Sequence, residues 1–139
     1  MSLSWLIEAF ETGIPFNRFL GVRVEGLTEG EAVLRIPFKD ELIGDFRRPA
    51  LHGGVTSALV DAAGGLAVWS TLADGATVST IDLRVDYLRP GLEADLFCKA
   101  EVMRIGNRVG VSTMSVHQGD PSAPIAEARG VYNIKRPGD

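Results

Sequence analysis

The chain has little cysteine, histidine or positive charge. It contains one cysteine and two histidines in 139 residues, so no intramolecular disulfide can form and no recognisable zinc-binding spacing is present. Lys and Arg number 14 against 18 Asp and Glu, a net charge of −4, which argues against a general nucleic-acid-binding protein. Cys98 lies in an alternating pattern and is predicted to fill the core. We therefore expect neither a metal nor a nucleic-acid partner.

Targeting segments and nucleotide-binding motifs are also missing. The N-terminal residues 1–8 lack the charged region and long apolar stretch of a secretory signal, which predicts a cytoplasmic protein. No phosphate-binding loop and no G-x-S-x-G nucleophile elbow is found. Residues 55–73 are apolar over nearly a membrane-spanning length, but Asp61 and the glycines and hydroxyl residues around it favour a buried helix and no membrane partner. The length predicts one domain over residues 1–139.

What the chain does contain is a long uncharged segment with one acid in it. Between Pro49 and Ala73 the only formal charge is Asp61, nine residues after His52. An isolated carboxylate is costly to bury unless hydrogen bonds or a function retain it. Apolar residues recur at i, i+3, i+4 and i+7 and predict a helix over residues 51–72. The predicted core-facing stripe consists of Val55, Ala58, Leu59, Ala62, Leu66 and Trp69.

Small residues surround Asp61 on the predicted helix. Its own stripe contains Gly54, Ser57, Ala58, Gly64, Gly65 and Val68. Glycine inside a helix costs roughly 1 kcal/mol relative to alanine, so Gly64 and Gly65 indicate that another backbone or a ligand approaches closely. A solvated helix face would carry several Lys, Glu or Arg residues instead of one Asp. We interpret this face as a furrow with a functional carboxylate.

The start of the same helix is predicted to bind an oxyanion. Backbone N–H groups in a first helical turn have no intrahelical partner and point outward at the positive end of the dipole. Gly53 and Gly54 would let a carbonyl oxygen approach these donors without meeting a Cβ. Asp61, two turns deeper, would then act on the carbonyl carbon. This combination is typical of acyl transfer.

The rest of the chain is predicted to be mostly antiparallel strands. An amphipathic helix near residues 3–11 would cover the core with Trp5, Leu6, Ala9 and Phe10. Alternation predicts strands over residues 21–27, 32–38, 81–87, 96–102, 109–117 and 125–134, with a polar loop over 39–51 bordering the site. This order predicts an α+β fold, an antiparallel sheet wrapped around one long central helix. Unpaired strand edges favour a homodimer.

Two stretches of the chain resemble one enzyme family. His52-Gly53-Gly54 with Asp61, followed by Thr80-Ile-Asp-Leu-Arg-Val-Asp-Tyr-Leu-Arg-Pro90, is similar to the hotdog-fold acyl-CoA thioesterases. The likeness is greatest to the phenylacetate-degradation branch of the 4-hydroxybenzoyl-CoA thioesterase superfamily and extends over residues 19–134. It implies a hotdog fold and homodimers, often paired into tetramers, with each active site between two subunits.

The resemblance also implies catalytic roles. Asp61 would attack the thioester or activate a water, the Gly53 N–H would polarise the thioester carbonyl, and His52 would shape the turn. Thr80, with Ser79 as the near alternative, corresponds to a hydroxyl residue that helps to position the water from the partner subunit. The implied reaction is hydrolysis of an acyl-CoA thioester to a free acid and coenzyme A, without a cofactor.

Substrate contacts are predicted less directly. Phe46 stands where many members of the branch have an asparagine, and an aromatic residue there is expected to contact the acyl group. Gly54 and Ser79 are expected beside the substrate, and Arg89 and Arg108 are the candidates for binding the phosphates of coenzyme A. Two alternatives stay open. One is hydration or dehydration of an acyl thioester with His52 as the proton carrier, and the other is a non-catalytic acyl-CoA-binding domain.

Overall fold

The computed structural model describes residues 2–139. The helices are α1 (Leu3–Glu8), which continues through a π-helical turn (Ala9–Gly13), α2 (Pro15–Leu20) and α3 (Gly53–Trp69), with a 3-10 turn at Asp40–Leu42. The strands are β1 (Arg23–Thr28), β2 (Glu31–Ile36), β3 (Thr77–Tyr87), β4 (Leu96–Ile105), β5 (Val109–His117) and β6 (Ala126–Lys135). The predicted strands are all present, with ends displaced by a few residues.

The six strands form one sheet around α3. Their order is β1-β2-β4-β5-β6-β3, and every neighbouring pair is antiparallel. Helix α3 packs across the sheet and contacts β2, β3, β4, β5 and β6. This is the hotdog arrangement, so the predicted α+β class is confirmed. Strands β1 and β3 are the two edges of the sheet, and pairing of an edge with a second chain stays a prediction.

Alternate side chains of β4 form part of the core. Leu96, Cys98 and Ala100 are buried, and Lys99 between them is exposed, as expected for successive side chains on opposite faces of a strand. Burial raises the pKa of the Cys98 thiol well above its ordinary value, because the thiolate would lose its solvation. The prediction that Cys98 fills the core is confirmed.

Helix α3 is shorter than predicted and buried around more of its circumference. Val55, Leu59 and Leu66 of the predicted stripe are buried, whereas Ala58, Ala62 and Trp69 are half-buried. A second set of α3 residues is also buried, namely Thr56, Val60, Ala63, Gly64, Gly65, Ala67 and Val68. The curved sheet therefore covers the second half of the helix beyond the single predicted stripe.

The N-terminal segment differs from its prediction in two respects. Leu6 and Phe10 are buried as expected, but Trp5 is 55% exposed, so the prediction that Trp5 covers the core is wrong. Helix α2 was not predicted. Its signals are Pro15 in the first helical turn, where proline is pre-organised for a helix, and Gly21, whose left-handed φ of 80° ends the helix.

Strand β3 begins earlier than predicted and contains an irregularity. Its register against β6 shifts between Thr80 and Asp82, so Ile81 lies outside the regular pairing and is 57% exposed. Leu83 and Val85 pack against the core as predicted. Strict alternation over residues 81–87 would place Ile81 on the same side as Leu83 and Val85, but the bulge turns it outward.

Candidate active site

His52 caps the start of α3. Its backbone is extended, and its Nδ1 accepts a hydrogen bond of 2.8 Å from the Gly54 N–H. The neutral ring therefore carries its proton on Nε2. A Cβ at Gly54 would lie 2.8 Å from His52 Nδ1, so Gly54 makes room for this cap. Since the Gly54 N–H is already paired with His52, it is not available to bind an oxyanion, and the expectation that Gly54 lies beside the substrate stays a prediction.

Gly53 keeps the free donor of the first turn. Among residues 2–139, its N–H has no hydrogen-bond partner, and the residue is exposed. Its carbonyl accepts a hydrogen bond of 2.7 Å from the Tyr87 hydroxyl, which also contacts Ser57 Oγ. Tyr87 therefore holds the peptide group between Gly53 and Gly54 and makes no hydrogen bond to the Gly53 N–H. An exposed N–H at a helix start is suited to bind a carbonyl oxygen that gains negative charge.

Asp61 is held by a hydroxyl of β3. The half-buried carboxylate accepts a hydrogen bond of 2.7 Å from Thr80 Oγ1. A hydrogen bond to a charged acceptor fixes the direction of the carboxylate oxygens. Thr80 therefore contacts Asp61 of its own chain, whereas the resemblance implied a hydroxyl that acts from the partner subunit; its role in positioning a water stays a prediction.

The glycines beside Asp61 make room for a tyrosine. The Tyr132 hydroxyl donates to the main-chain carbonyl of Asp61 over 3.0 Å. A Cβ at Gly64 would collide with that hydroxyl and with Met114, and one at Gly65 would lie 3.4 Å from the Tyr132 ring. The predicted close approach is present, but a side chain makes it. The predicted furrow is correspondingly shorter, because Gly64, Gly65 and Val68 are buried.

An apolar cleft of about 260 Å³ opens beside Asp61 and Thr80. Its walls are α3, the first residues of β3 and the N-terminal segment between the π-helical turn and α2. The lining residues are Phe10, Ile14, Phe16, Asn17, Ala58, Asp61, Ala62, Gly65, Trp69, Val78, Ser79, Thr80 and Tyr132. Ser79 also lines this cleft, and its predicted place beside the substrate stays a prediction. This N-terminal wall was not predicted from the sequence, although the aromatic and apolar side chains in residues 10–16 were a signal for it.

A second cleft, of about 400 Å³, borders Gly53. Arg48, Arg89 and Tyr87 contribute to its walls, so Arg89 lies near the free donor. Arg48, which sequence reasoning did not select, pairs with Asp45 over 3.1 Å. The backbone N–H and the guanidinium of Arg47, together with Arg48, hold the pKa of the Asp45 carboxyl below its usual value.

Two predicted substrate contacts lie elsewhere in the chain. Phe46 is 97% exposed, and the Arg47 guanidinium lies over its ring, 5.7 Å from the ring centre. Arg108 lies in the β4–β5 turn, where its carbonyl accepts from the Ile134 N–H. Since Ile134 pairs with Val78 at the start of β3, Arg108 and Arg89 lie at opposite ends of the sheet. One chain therefore does not bring these residues to the Gly53 cleft.

The free donor and the carboxylate are far apart along α3. Eight residues separate Gly53 from Asp61, which is about 12 Å of helix axis at ~1.5 Å per residue. Strand β3 also keeps the two groups apart, because Thr80 contacts Asp61 and Tyr87, seven positions further along the strand, contacts Gly53. A carbonyl within ~3 Å of a donor and attacked from ~3 Å spans at most about 7 Å. Both groups of one chain therefore cannot act on one carbonyl in this arrangement.

Neither a metal site nor a membrane-spanning helix is found among residues 2–139. Across residues 2–139, no group of three or more His, Cys, Asp or Glu side chains is placed to hold a metal ion. No helix within the same residues is long and apolar enough to cross a membrane.

Comparison with known proteins identifies the family. The model of the thioesterase superfamily matches residues 46–125. The chain belongs to the thioesterase superfamily. The match includes His52, Gly53, Asp61 and Thr80. A candidate esterase of Halobacterium salinarum is 40% identical over 144 residues, covering 94% of this chain and 91% of that protein.

Other relatives extend this result. The medium/long-chain acyl-CoA thioesterase YigI of Salmonella typhimurium is 36% identical over 140 residues, covering 91% of this chain and 90% of that enzyme. A solved structure from Shewanella oneidensis, related to the thioesterase superfamily, is 35% identical with a TM-score of 0.85 and covers 94% of each chain. This superfamily member is therefore a thioester hydrolase, so the prediction of an enzyme is confirmed.

Proposed function

We propose that this thioesterase hydrolyses acyl-CoA thioesters to a carboxylic acid and coenzyme A, using Asp61 and the Gly53 N–H. The observation that carries the proposal is the Asp61 carboxylate, oriented by Thr80 at the mouth of an apolar cleft. The name of the 36% identical relative from Salmonella typhimurium supports the acyl-CoA class. Membership of the phenylacetate-degradation branch and a cytoplasmic location stay predictions.

The proposed chemistry needs few groups. The Gly53 N–H donates to the thioester oxygen and stabilises the negative charge that develops there. Asp61 then acts in one of two ways. It attacks the carbonyl carbon to form an anhydride that water later hydrolyses, or it removes a proton from a water that attacks directly. In both routes the C–S bond breaks and the coenzyme A thiolate leaves, and the water consumed in the reaction supplies the proton that the thiolate takes up.

The site is proposed to form between two chains. Because Gly53 and Asp61 of one chain are about 12 Å apart along α3, the donor of one subunit must meet the carboxylate of its partner. The exposed edge strand β3, which carries Thr80 and Tyr87, provides unpaired backbone groups that a second copy would satisfy. We therefore retain the predicted homodimer with two sites at its interface. Pairing of dimers into tetramers stays a prediction.

We propose that the coenzyme A part of the substrate extends from the site past Arg89 and Arg48. Both line the cleft that also contains Gly53, and guanidinium groups bind phosphate oxygens in a bidentate manner. Arg48 would exchange its contact with Asp45 for one with the ligand.

The environment of His52 argues against the hydratase alternative. That reaction needs an imidazole that exchanges protons at the reacting carbon. Here Nδ1 is occupied by the Gly54 N–H, so protonation of this nitrogen would cost the helix cap. A structural role for His52 fits thioester hydrolysis better.

A thiol-release assay on a panel of acyl-CoA thioesters tests the proposal. Asp61→Asn should lower kcat by about 10²–10⁴-fold, the usual contribution of a positioned acid or base. The matched control is Asp40→Asn, which makes the same change in the exposed 3-10 turn and should retain activity. Equal activity of the two variants would refute the role of Asp61.

Isotope labelling separates the two routes. In a single turnover in ¹⁸O-water with enzyme in excess, covalent attack followed by hydrolysis at the Asp61 carbonyl leaves the label in the Asp61 carboxylate and unlabelled oxygen in the product. Direct attack by water puts the label in the product alone, so label in Asp61 establishes the covalent route, and label in the product alone excludes an anhydride that is hydrolysed at the Asp61 carbonyl. Mass spectrometry of the peptide that contains Asp61 distinguishes these results.

A further inference from the structure

Trp69 lines the apolar cleft beside Asp61 and lies eight positions further along α3. The Trp69 indole N–H donates to the Ala76 carbonyl over 3.1 Å, and the Phe10 ring meets the indole edge-on at 5.9 Å between centres. These two contacts restrict rotation of the indole. A large side chain held on both sides forms a fixed end wall instead of a mobile gate.

The lining of the cleft matches an uncharged acyl chain. Asp61 is its one charged lining residue within the described chain. Aromatic and aliphatic side chains from three separate elements form the walls, including Ile14, Ala62 and Val78. The polar Asn17 is partly engaged, because its Nδ2 donates to the Phe10 carbonyl over 3.0 Å. Such a surface favours burial of methylene or ring carbons.

Two measures of the cleft give the same acyl length. A volume of about 260 Å³ holds about nine non-hydrogen atoms at the ~30 Å³ of a water-sized group. From Asp61 to Trp69, eight residues of helix span about 12 Å. An extended chain advances ~1.2 Å per bond, as three bonds cover ~3.5 Å in an extended peptide, so about ten bonds fit.

We propose that this cleft is the acyl pocket and that Trp69 limits it to apolar acyl groups of about eight to ten carbons. The inference rests on the proposed function, since Asp61 must lie beside the thioester carbon for the acyl chain to enter here. Acyl groups that are shorter leave the far end unfilled. Each missing methylene then lowers kcat/KM by about fourfold, which corresponds to ~0.8 kcal/mol per buried CH₂.

Fluorescence of Trp69 tests directly whether the acyl chain contacts this residue. The chain contains two tryptophans, and Trp5→Phe changes the exposed one, so Trp69 becomes the single reporter. This variant is titrated with non-hydrolysable acyl-CoA thioethers of four to sixteen carbons, and binding is measured separately by calorimetry. Emission should change with acyl chains of about eight carbons or more and stay constant with four carbons. Binding without any change in Trp69 emission would overturn the acyl pocket while leaving acyl-CoA recognition intact. Absence of binding by every analogue would overturn both proposals.

Chain-length preference provides the second test. Trp69→Leu shortens the end wall and should move the optimum of kcat/KM by two or more carbons towards longer substrates. Trp5→Leu makes the same change on the exposed side of α1, outside the cleft, and should leave the optimum where it is. An unchanged optimum in a folded, active Trp69→Leu enzyme would also overturn the assignment.

Discussion

Mixing two inactive variants should restore activity if each site combines two chains. Gly53→Pro removes the free N–H, and Asp61→Asn removes the carboxylate. In a mixed dimer, one site then carries both substitutions, and the other pairs an intact Gly53 with an intact Asp61. Random assortment of equal amounts gives about half mixed dimers, each with one intact site of two. The expected activity is therefore about a quarter of that of the unmodified enzyme.

The structure indicates that Gly53→Pro is compatible with the fold. Gly53 is the first residue of α3, a position that tolerates proline, and its N–H makes no hydrogen bond within the described chain. His52 already has φ −64° and ψ 129°, the extended conformation that a following proline requires. Loss of one oxyanion donor is expected to lower kcat by about 10²–10³-fold, or ~2.7–4 kcal/mol.

Gly53→Ala is the matched control for this experiment. Its Cβ would lie 3.4 Å from the Tyr87 ring, as the proline Cβ does, but the N–H remains. The alanine variant should keep most of its activity, which separates loss of the donor from crowding of Tyr87. The variants are refolded together from denaturant to allow exchange of chains, and thiol release is then measured. Activity of the mixture no higher than the mean of the two separate variants would show that each site lies within one chain.

Three further predictions concern the supports of the site and the fold. Thr80→Val should lower kcat by tenfold or more, since a hydrogen bond to a charged group contributes ~1.5–3 kcal/mol. Thr80→Ser keeps the hydroxyl and should keep most of the activity. Equal kcat values of the two variants in steady-state assays would contradict this prediction. Gly64→Ala should lower the free energy of unfolding in urea by about 1–3 kcal/mol through overpacking, despite the better helix propensity of alanine, because its Cβ meets Tyr132 and Met114; a stabilised variant would show that they move aside. Hydrogen bonds from the Phe38 N–H and Arg35 hold the pKa of Asp95 below its usual value, so its stabilisation is present above the unfolded pKa of ~3.9 and is lost as pH falls through the folded pKa. Asp95→Asn should therefore lower Tm at pH 7 but not in strong acid, and a constant difference across pH would refute the assignment.

Strand and helix positions were predictable where local pattern and packing agree. Strict alternation around Cys98 identified β4, and the apolar segment that contains Asp61 identified α3. Both patterns arise from burial against the same core, so neighbouring residues carry the signal. The fixed spacing of an α-helix likewise placed Gly53 and Asp61 on one element. These features needed no knowledge of distant contacts.

Other features depend on residues far apart in the sequence. Gly64 lies against Tyr132, which belongs to the last strand, so this contact could not be predicted from the sequence of the helix alone. Ile81 is turned outward by the register between β3 and β6, which single-strand alternation does not contain. The positions of Phe46 and Arg108 depend on the paths of exposed connections. The Gly53–Asp61 separation, by contrast, was available from the helical rise and would have excluded their joint action within one chain.

The position of Asp61 in α3 links dimer formation to substrate length. Asp61 lies eight residues after Gly53 and eight residues before Trp69, so about 12 Å of helix extends on each side of it. On the side of Gly53, this distance is too long for one carbonyl to bridge, so in the proposed dimer a second chain supplies the donor. On the side of Trp69, the same distance lies along the apolar cleft and accommodates an acyl chain. Moving the acid one turn towards Gly53 would bring it nearer its own donor, but it would also remove its contact with Thr80 and lengthen the cleft by ~5.4 Å. In the proposed mechanism, the position of Asp61 therefore determines both the need for a partner and the size of the acyl group.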